Sequence, residues 1–154
     1  METPTEAITR DIYGMPAFVT FTVADLARTV DWYVNGLDFI ELFSMPGPQG
    51  PVLVHLRRWR YQDILVRPGP VAPGGGWTYS VSANIAELDA LAERAWAHGG
   101  GSVHGPFDTP WNTRDVHATD PDGYTVVYTA HRPPQQQDEA FNGMMRREAE
   151  AQGL

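Results

Sequence analysis

Five histidines, His55, His98, His104, His117 and His131, are the first candidates for chemistry in this chain. Imidazole titrates near neutrality, so it can take a proton, orient a ligand or bind a metal. No pair stands at the His-x-x-x-His or His-Glu-x-x-His spacing that sets two rings on one helix face, which excludes a metalloprotease-like helix. His117 alternates with Asp115 and Thr119 against Val116 and Ala118, the period of a strand with one polar face. His55 lies in the middle of another such run. Both could line a hollow and hold a ligand by hydrogen bonds, or serve as a general base. A metal site rebuilt from His55, His117 and Asp115 stays open at this point.

The nucleophile inventory is short. Cysteine and lysine are both absent, and all 11 basic side chains are arginine. That excludes disulfides, thiolate chemistry, Schiff bases and the phosphate-loop lysine. Gly74-Gly75-Gly76 precedes a strand and Gly99-Gly100-Gly101 closes a helix, so neither is a nucleotide fingerprint. Ser102 lacks the Gly-x-Ser-x-Gly frame of a nucleophile elbow.

Aromatic side chains form the second group. Trp59, Tyr61, Trp77, Tyr79, Phe107 and Trp111 fall at strand ends or in flanking loops, where flat rings can stack on a planar ligand or pack an edge. Trp32, Tyr33 and Trp96 fall on helices and are expected in the core. Arg57-Arg58-Trp59-Arg60 offers cation–π support or a solvated hairpin tip.

These residues must be positioned by the elements around them. The chain has 154 residues, enough for one domain with its own core. A net charge of −8 argues against nucleic acid and admits a neutral or cationic small ligand. No apolar run approaches a membrane span, and the polar start at Met1 to Asp11 is unlike a signal peptide, so a soluble, cytoplasmic protein is expected. Phe18 to Val23 alternates as a strand. Asp25 then stands as N-cap for a helix carrying Leu26, Val30, Tyr33 and Val34, ended by Asn35-Gly36. Leu37 to Phe43, Val52 to Arg58 and Tyr61 to Val66 read as strands, with a loop over Met45 to Pro51 and a linker from Arg67 to Gly76.

The same grammar then starts again. Trp77 to Ala83 is a strand, and Ala86 to His98 is a helix with Leu88, Leu91, Ala92, Ala95 and Trp96 on one side. Val103 to Phe107, Arg114 to Thr119 and Tyr124 to His131 are strands. Asp120-Pro121-Asp122-Gly123 joins the last two in a tight turn, with a preset φ, a self-capping side chain and a glycine free to take positive φ. The expected fold class is α+β: a lead-in at 1–15, a first β-α-β-β-β module at 16–70, a second at 71–131, and a polar tail at 132–154. Glu139 to Gln152 of the tail reads as a helix whose Phe141, Met144 and Met145 either cover a pocket or partner chain or fray.

Val23-Ala24-Asp25-Leu26 leading into Trp32-Tyr33-Val34-Asn35-Gly36-Leu37-Asp38-Phe39, followed by Pro110-Trp111-Asn112-Thr113-Arg114 and Asp120-Pro121-Asp122-Gly123, resembles the vicinal oxygen chelate superfamily. That superfamily takes in glyoxalase I, fosfomycin resistance enzymes, extradiol dioxygenases and bleomycin resistance proteins. The resemblance implies curled mixed sheets around a cup, and a homodimer with clefts at the subunit interface. It also implies metal-ligand positions at Phe18, Thr78 (or its neighbour Trp77) and Val127. None of these supplies an imidazole or carboxylate donor, so no metal and no cofactor is expected.

The resemblance is therefore nearest the metal-free antibiotic-binding resistance proteins. The expected function is sequestration of a bulky aromatic antibiotic or natural product, bleomycin-like or enediyne-like, with resistance of the producer as the outcome. Phe18, His55, Trp59, Tyr61, Trp77, Tyr79, Phe107, Trp111 and His117 are its expected ligand contacts. Nucleic acid and membrane are not expected partners. The alternative is an enzyme of the same superfamily using His117 or His55 as base, with or without a relocated metal. A domain without a ligand is a third reading.

Overall fold

The computed structural model describes residues 8–15, 17–71 and 78–153. Eight strands form two four-stranded mixed sheets. The first half is β1 (Val19–Val23), α1 (Leu26–Asp31), β2 (Ile40–Met45), β3 (Leu53–Arg57) and β4 (Asp63–Pro68), in sheet order β1-β4-β3-β2. The second half is β5 (Thr78–Ser82), α2 (Leu88–His98), β6 (Ser102–Asp108), β7 (Thr113–Thr119) and β8 (Thr125–His131), in sheet order β5-β8-β7-β6. In each half the first strand runs parallel to the fourth and the other pairs are antiparallel. The sheet connectivity is thus the same in both halves. The expected Arg67–Gly76 linker and the Gly74-Gly75-Gly76 run lie partly or wholly outside the described residues.

Strand periodicity decides the inner face of each sheet. Phe21 and Val23 of β1, Val54 and Leu56 of β3, Ile64 and Val66 of β4, Val116 and Ala118 of β7, and Val126 and Tyr128 of β8 are buried in one continuous cluster. Alternate residues on the same strands point the other way, onto what we call the outer faces.

Hydroxyls tie the halves together across this core. Tyr33 donates to Asp120 Oδ2 at 3.2 Å, Tyr124 donates to the Thr22 carbonyl at 3.0 Å, and Tyr128 donates to the Leu37 carbonyl. The Tyr124 ring also stacks on Phe21 at 4.3 Å. Arg58, fully buried, bridges Asp38 at 3.0 Å and Glu87 at 2.5 Å, so a charge from the first half is neutralised partly by the second.

The Asp25 carboxylate caps α1 by accepting from the Arg28 amide at 3.0 Å. The helix then widens into a π turn over Trp32–Gly36, which buries Trp32 and Tyr33 side by side. This turn delays β2: Asp38 takes a left-handed φ of 64°, and the strand begins at Ile40 instead of Leu37. Tyr61, at φ 65°, likewise cannot join a ladder, so β4 starts at Asp63 and not at Tyr61. Trp32 lies against Gly101, where an added Cβ would come within 2.6 Å of the indole and 2.5 Å of the Thr119 carbonyl.

One core expectation is corrected. Trp96 is 77% exposed, while Leu88, Leu91, Ala92 and Ala95 of the same helix are buried. It stands at the margin of that stripe, roughly 80° around the helix from the line through Leu88. The tail forms α3 (Glu139–Ala151), capped by the Asp138 carboxylate on the Ala140 amide at 2.9 Å. Asn112 fastens its start through the Asp138 carbonyl and the Asn142 side chain, both at 3.0 Å, while Met144 and Met145 stay exposed.

Candidate functional site

The outer faces carry most of the polar chemistry, and they repeat one pattern. In the first sheet Thr20, Leu65 and His55 stand abreast on β1, β4 and β3. In the second, Ser80, Val127 and His117 stand abreast on β5, β8 and β7. Each half thus presents a hydroxyl, an aliphatic side chain and an imidazole in the same register.

On the first sheet the strand period sets His55 and Arg57 on one face, and Asp63 opposes Arg57 in the ladder. Nε2 of His55 and Nε of Arg57 both lie 2.7 Å from Asp63 Oδ1, and the Tyr13 hydroxyl donates to Oδ2 at 2.9 Å. All three strand residues are buried, with Asp63 completely so. Residues 8–15 cross above them. Arg57 Nη1 donates to the Thr9 carbonyl at 3.0 Å and the Asp11 carbonyl at 2.8 Å, and its guanidinium lies 4.2 Å from the centre of the Tyr13 ring. Burial raises the Tyr13 hydroxyl above its ordinary pKa and Asp63 adds to this, while the hydrogen bond from the Tyr61 amide opposes it.

Between this segment and the sheet lies a cleft of about 320 Å³, with Ile12, Met15, Leu42 and Phe43 among its apolar walls and His55 and Arg57 behind them. Phe43 meets His55 edge to face at 5.4 Å.

On the second sheet His117 faces His104 across the β6–β7 ladder, with ring centres 6.5 Å apart, and Phe107 lies 5.0 Å from His117. Burial lowers the His117 pKa; Asp115 opposes that, and His104 adds to it. The Thr129 hydroxyl donates to Asp115 at 2.8 Å.

The remaining sequence candidates scatter. Phe18 is about half exposed, one residue ahead of β1. Trp59 packs under the Arg58 guanidinium at 4.7 Å, and Tyr61 meets Tyr13 edge-on at 4.9 Å. Tyr79 packs against the core, its hydroxyl donating to the Asp63 carbonyl at 3.2 Å; burial foremost and the Asp63 charge next push its pKa up to about 12. Trp111 is exposed in the loop ahead of β7. Trp77 lies outside the described residues. His55 and His117 therefore sit on different sheets.

The positions that the superfamily resemblance marks for a metal lack donors for one. Phe18, Thr78 and Val127 present a benzyl group, a lone hydroxyl and an isopropyl group, which do not make a first coordination sphere. The rebuilt His55–His117–Asp115 site is not assembled, because His55 is on β3 of one sheet and the other two are on β7 of the other. Among the described residues no group of three or more His, Asp or Glu side chains could hold a metal ion.

A larger groove, about 910 Å³, had no counterpart in the sequence reading. It runs along α1 and is lined by Leu26, Val30 and Val34 on one side and by Pro51, Val52 and Val54 on the other. The helix residues carried the right apolar period, but the loop that stands across from them left no periodic signal.

Two β-α-β-β-β units of the same sheet connectivity define the fold class. The model of the Glyoxalase/Bleomycin resistance protein/Dioxygenase superfamily matches residues 16–128, and the chain belongs to that superfamily. An uncharacterised protein of Mycobacterium bovis is 30% identical over 113 residues, covering 66% of this chain and 74% of its own.

Among solved structures, TnmS3, an antibiotic binding protein from Streptomyces sp. CB03234, superposes with a TM-score of 0.58 at 24% identity, covering 74% of this chain and 93% of its own. The fosfomycin resistance protein FosX of Listeria monocytogenes gives 0.62 at 17% identity, covering 82% and 100%. At these identities the structures establish a shared fold. Among the described residues no helix is long and apolar enough to cross a membrane.

Proposed function

We propose that this protein binds and sequesters an aromatic antibiotic or related natural product without metal and without turning it over. The observation that carries the reading is the donor chemistry at Phe18, Thr78 and Val127, where no side chain can anchor a catalytic ion. The rings and imidazoles of the outer faces, Phe43 with His55 and Phe107 with His117, suit stacking and orientation of a planar guest. A fold neighbour that is by name an antibiotic binding protein supports it. Burial of apolar surface supplies the driving force, about 25 cal/mol per Å² before association costs are subtracted. In this proposal two copies pair so that the outer faces close into cups, and the outcome in the cell is resistance.

The test combines metal analysis of the purified protein, size determination in solution, and tryptophan-quenching titrations with bleomycin, an enediyne and other polycyclic natural products. Saturable quenching with ligand recovered intact is expected. Stoichiometric metal or a changed ligand overturns the proposal.

One observation favours a second reading, metal-free general-base catalysis. The carboxylate of Asp63 orients the His55 ring as such a base requires. Recovery of a chemically altered ligand, lost in His55→Leu, would select it.

A further inference from the structure

The cleft beside His55 carries more information than its shape. Asp63 accepts from His55, Arg57 and Tyr13, so Nε2 of His55 is the donor of that pair. In the neutral ring the lone pair then sits on Nδ1, which makes no hydrogen bond to any described residue. The ring is 5% exposed, and it is one of the residues that line the cleft. Nδ1 is thus an acceptor that no described residue satisfies, and a guest that brings a donor finds a partner there.

The walls restrict that guest. Ile12, Met15, Leu42 and Phe43 offer apolar contact, and Phe43 and Tyr13 offer ring faces or edges. Arg10 and Arg57 are the charged residues of the lining, and no carboxylate is among it. Asp63 offsets Arg57, which leaves Arg10 as the remaining charge of the lining, and that charge disfavours a cationic guest. A carboxylate guest would suit Arg10 but has no proton for Nδ1. An aliphatic alcohol would have the proton but would leave the rings unused. At about 320 Å³ the cleft stands at the small end of ligand pockets, suited to one or two fused rings.

We propose that this cleft binds a hydroxy-aromatic group, with its hydroxyl donating to Nδ1 of His55 and its ring packed against Phe43. The assignment rests on the reading of the chain as a small-molecule binder and names the ligand class for this one site.

The test titrates the full chain with β-naphthol and, separately, with its methyl ether, which keeps the ring but cannot donate. The naphthol is expected to bind at least about tenfold more tightly, the factor that corresponds to about 1.4 kcal/mol. In His55→Leu the two affinities are expected to converge. Because that variant removes a donor from buried Asp63 and could fail to fold, nitrogen NMR of the unaltered protein provides an independent readout. There the His55 Nδ1 resonance is expected to shift with naphthol and stay in place with the ether. Equal affinities, absence of saturable naphthol binding, or an unmoved Nδ1 resonance would each overturn the assignment. If a large natural product quenches the tryptophans while naphthol does not bind, sequestration stands and only this ligand class falls.

Discussion

His55 and Arg57 converge on a single oxygen, Oδ1 of Asp63, each at 2.7 Å and all three buried. Two residues apart on β3, they share a face, and the antiparallel register delivers the carboxylate between them. Asp63→Asn removes the charge that neutralises the Arg57 guanidinium. The expected loss is about 3–5 kcal/mol, because a buried cation is left unpaired. Urea unfolding measures it, and a loss below about 1 kcal/mol would mean that water or other groups already solvate Arg57.

Tyr13→Phe tests the same cluster more gently. The hydroxyl's bond to Asp63 and the bond it accepts from the Tyr61 amide both disappear, while the ring remains beside Arg57. The expected loss is about 1–3 kcal/mol for the two bonds, with faster amide exchange at residues 8–15 and at the Tyr61 amide. Unchanged exchange there would show that the Arg57 bonds to the Thr9 and Asp11 carbonyls hold the segment alone.

Asp120 gives a pH dependence of definite sign. Burial raises its pKa in the folded protein, opposed by hydrogen bonds from the Tyr124 and Asp122 amides. The folded state holds this proton more tightly than the unfolded chain does. Its stabilising contribution is therefore present below the ordinary carboxylate value of 3.8 and is lost as pH rises through the raised folded value. Asp120→Asn keeps an acceptor for both amides and abolishes the titration. We expect its stability difference from wild type to move in its favour as pH rises across that window, measured by unfolding at a series of pH values. A difference independent of pH would refute the linkage.

His117 has the opposite linkage. Burial depresses its pKa below the ordinary 6.5, outweighing Asp115. Its contribution to stability is complete above 6.5 and fades as pH falls through the depressed value. Proton NMR of the imidazole should give a midpoint under 6.5, and one at or above 6.5 would contradict this environment.

The two helix-end tryptophans should behave in opposite ways. Trp32, 1% exposed, packs against Gly101 and is expected to cost about 3–5 kcal/mol as Trp32→Ala. Trp96, 77% exposed, should change stability by less than about 0.5 kcal/mol as Trp96→Ser. Thermal unfolding compares them, and comparable losses would place Trp96 in an interface.

Much of the architecture was legible because it depends on short-range rules. Val19, Phe21 and Val23 alternate with Thr20 and Thr22, which is enough to assign an inner face to β1. Asp120 accepts from the Asp122 and Tyr124 amides at 2.9 and 3.1 Å, and Gly123 takes φ 92°, as a self-capped turn requires. The structure departs from the sequence pattern where the backbone leaves its regular period. Asp38 and Tyr61, both left-handed, displaced the starts of β2 and β4. Trp96 was misplaced because one helical step past Ala95 carries a side chain off the packed stripe.

The amino-acid sequence by itself determined the β-α-β-β-β repeat, the parity that sets His55 and His117 on outer faces, and the lack of metal donors at Phe18, Thr78 and Val127. Each of these follows from residue type and a local period. Only the tertiary structure decided that His55 joins Asp63, Arg57 and Tyr13 under residues 8–15, and that His117 lies instead beside His104 and Phe107. Those associations depend on register between strands and on a chain crossing nearly 50 residues away in sequence. Backbone carbonyls, which look alike in every residue, make half of the contacts that hold Arg57, and no pattern of side chains announces them.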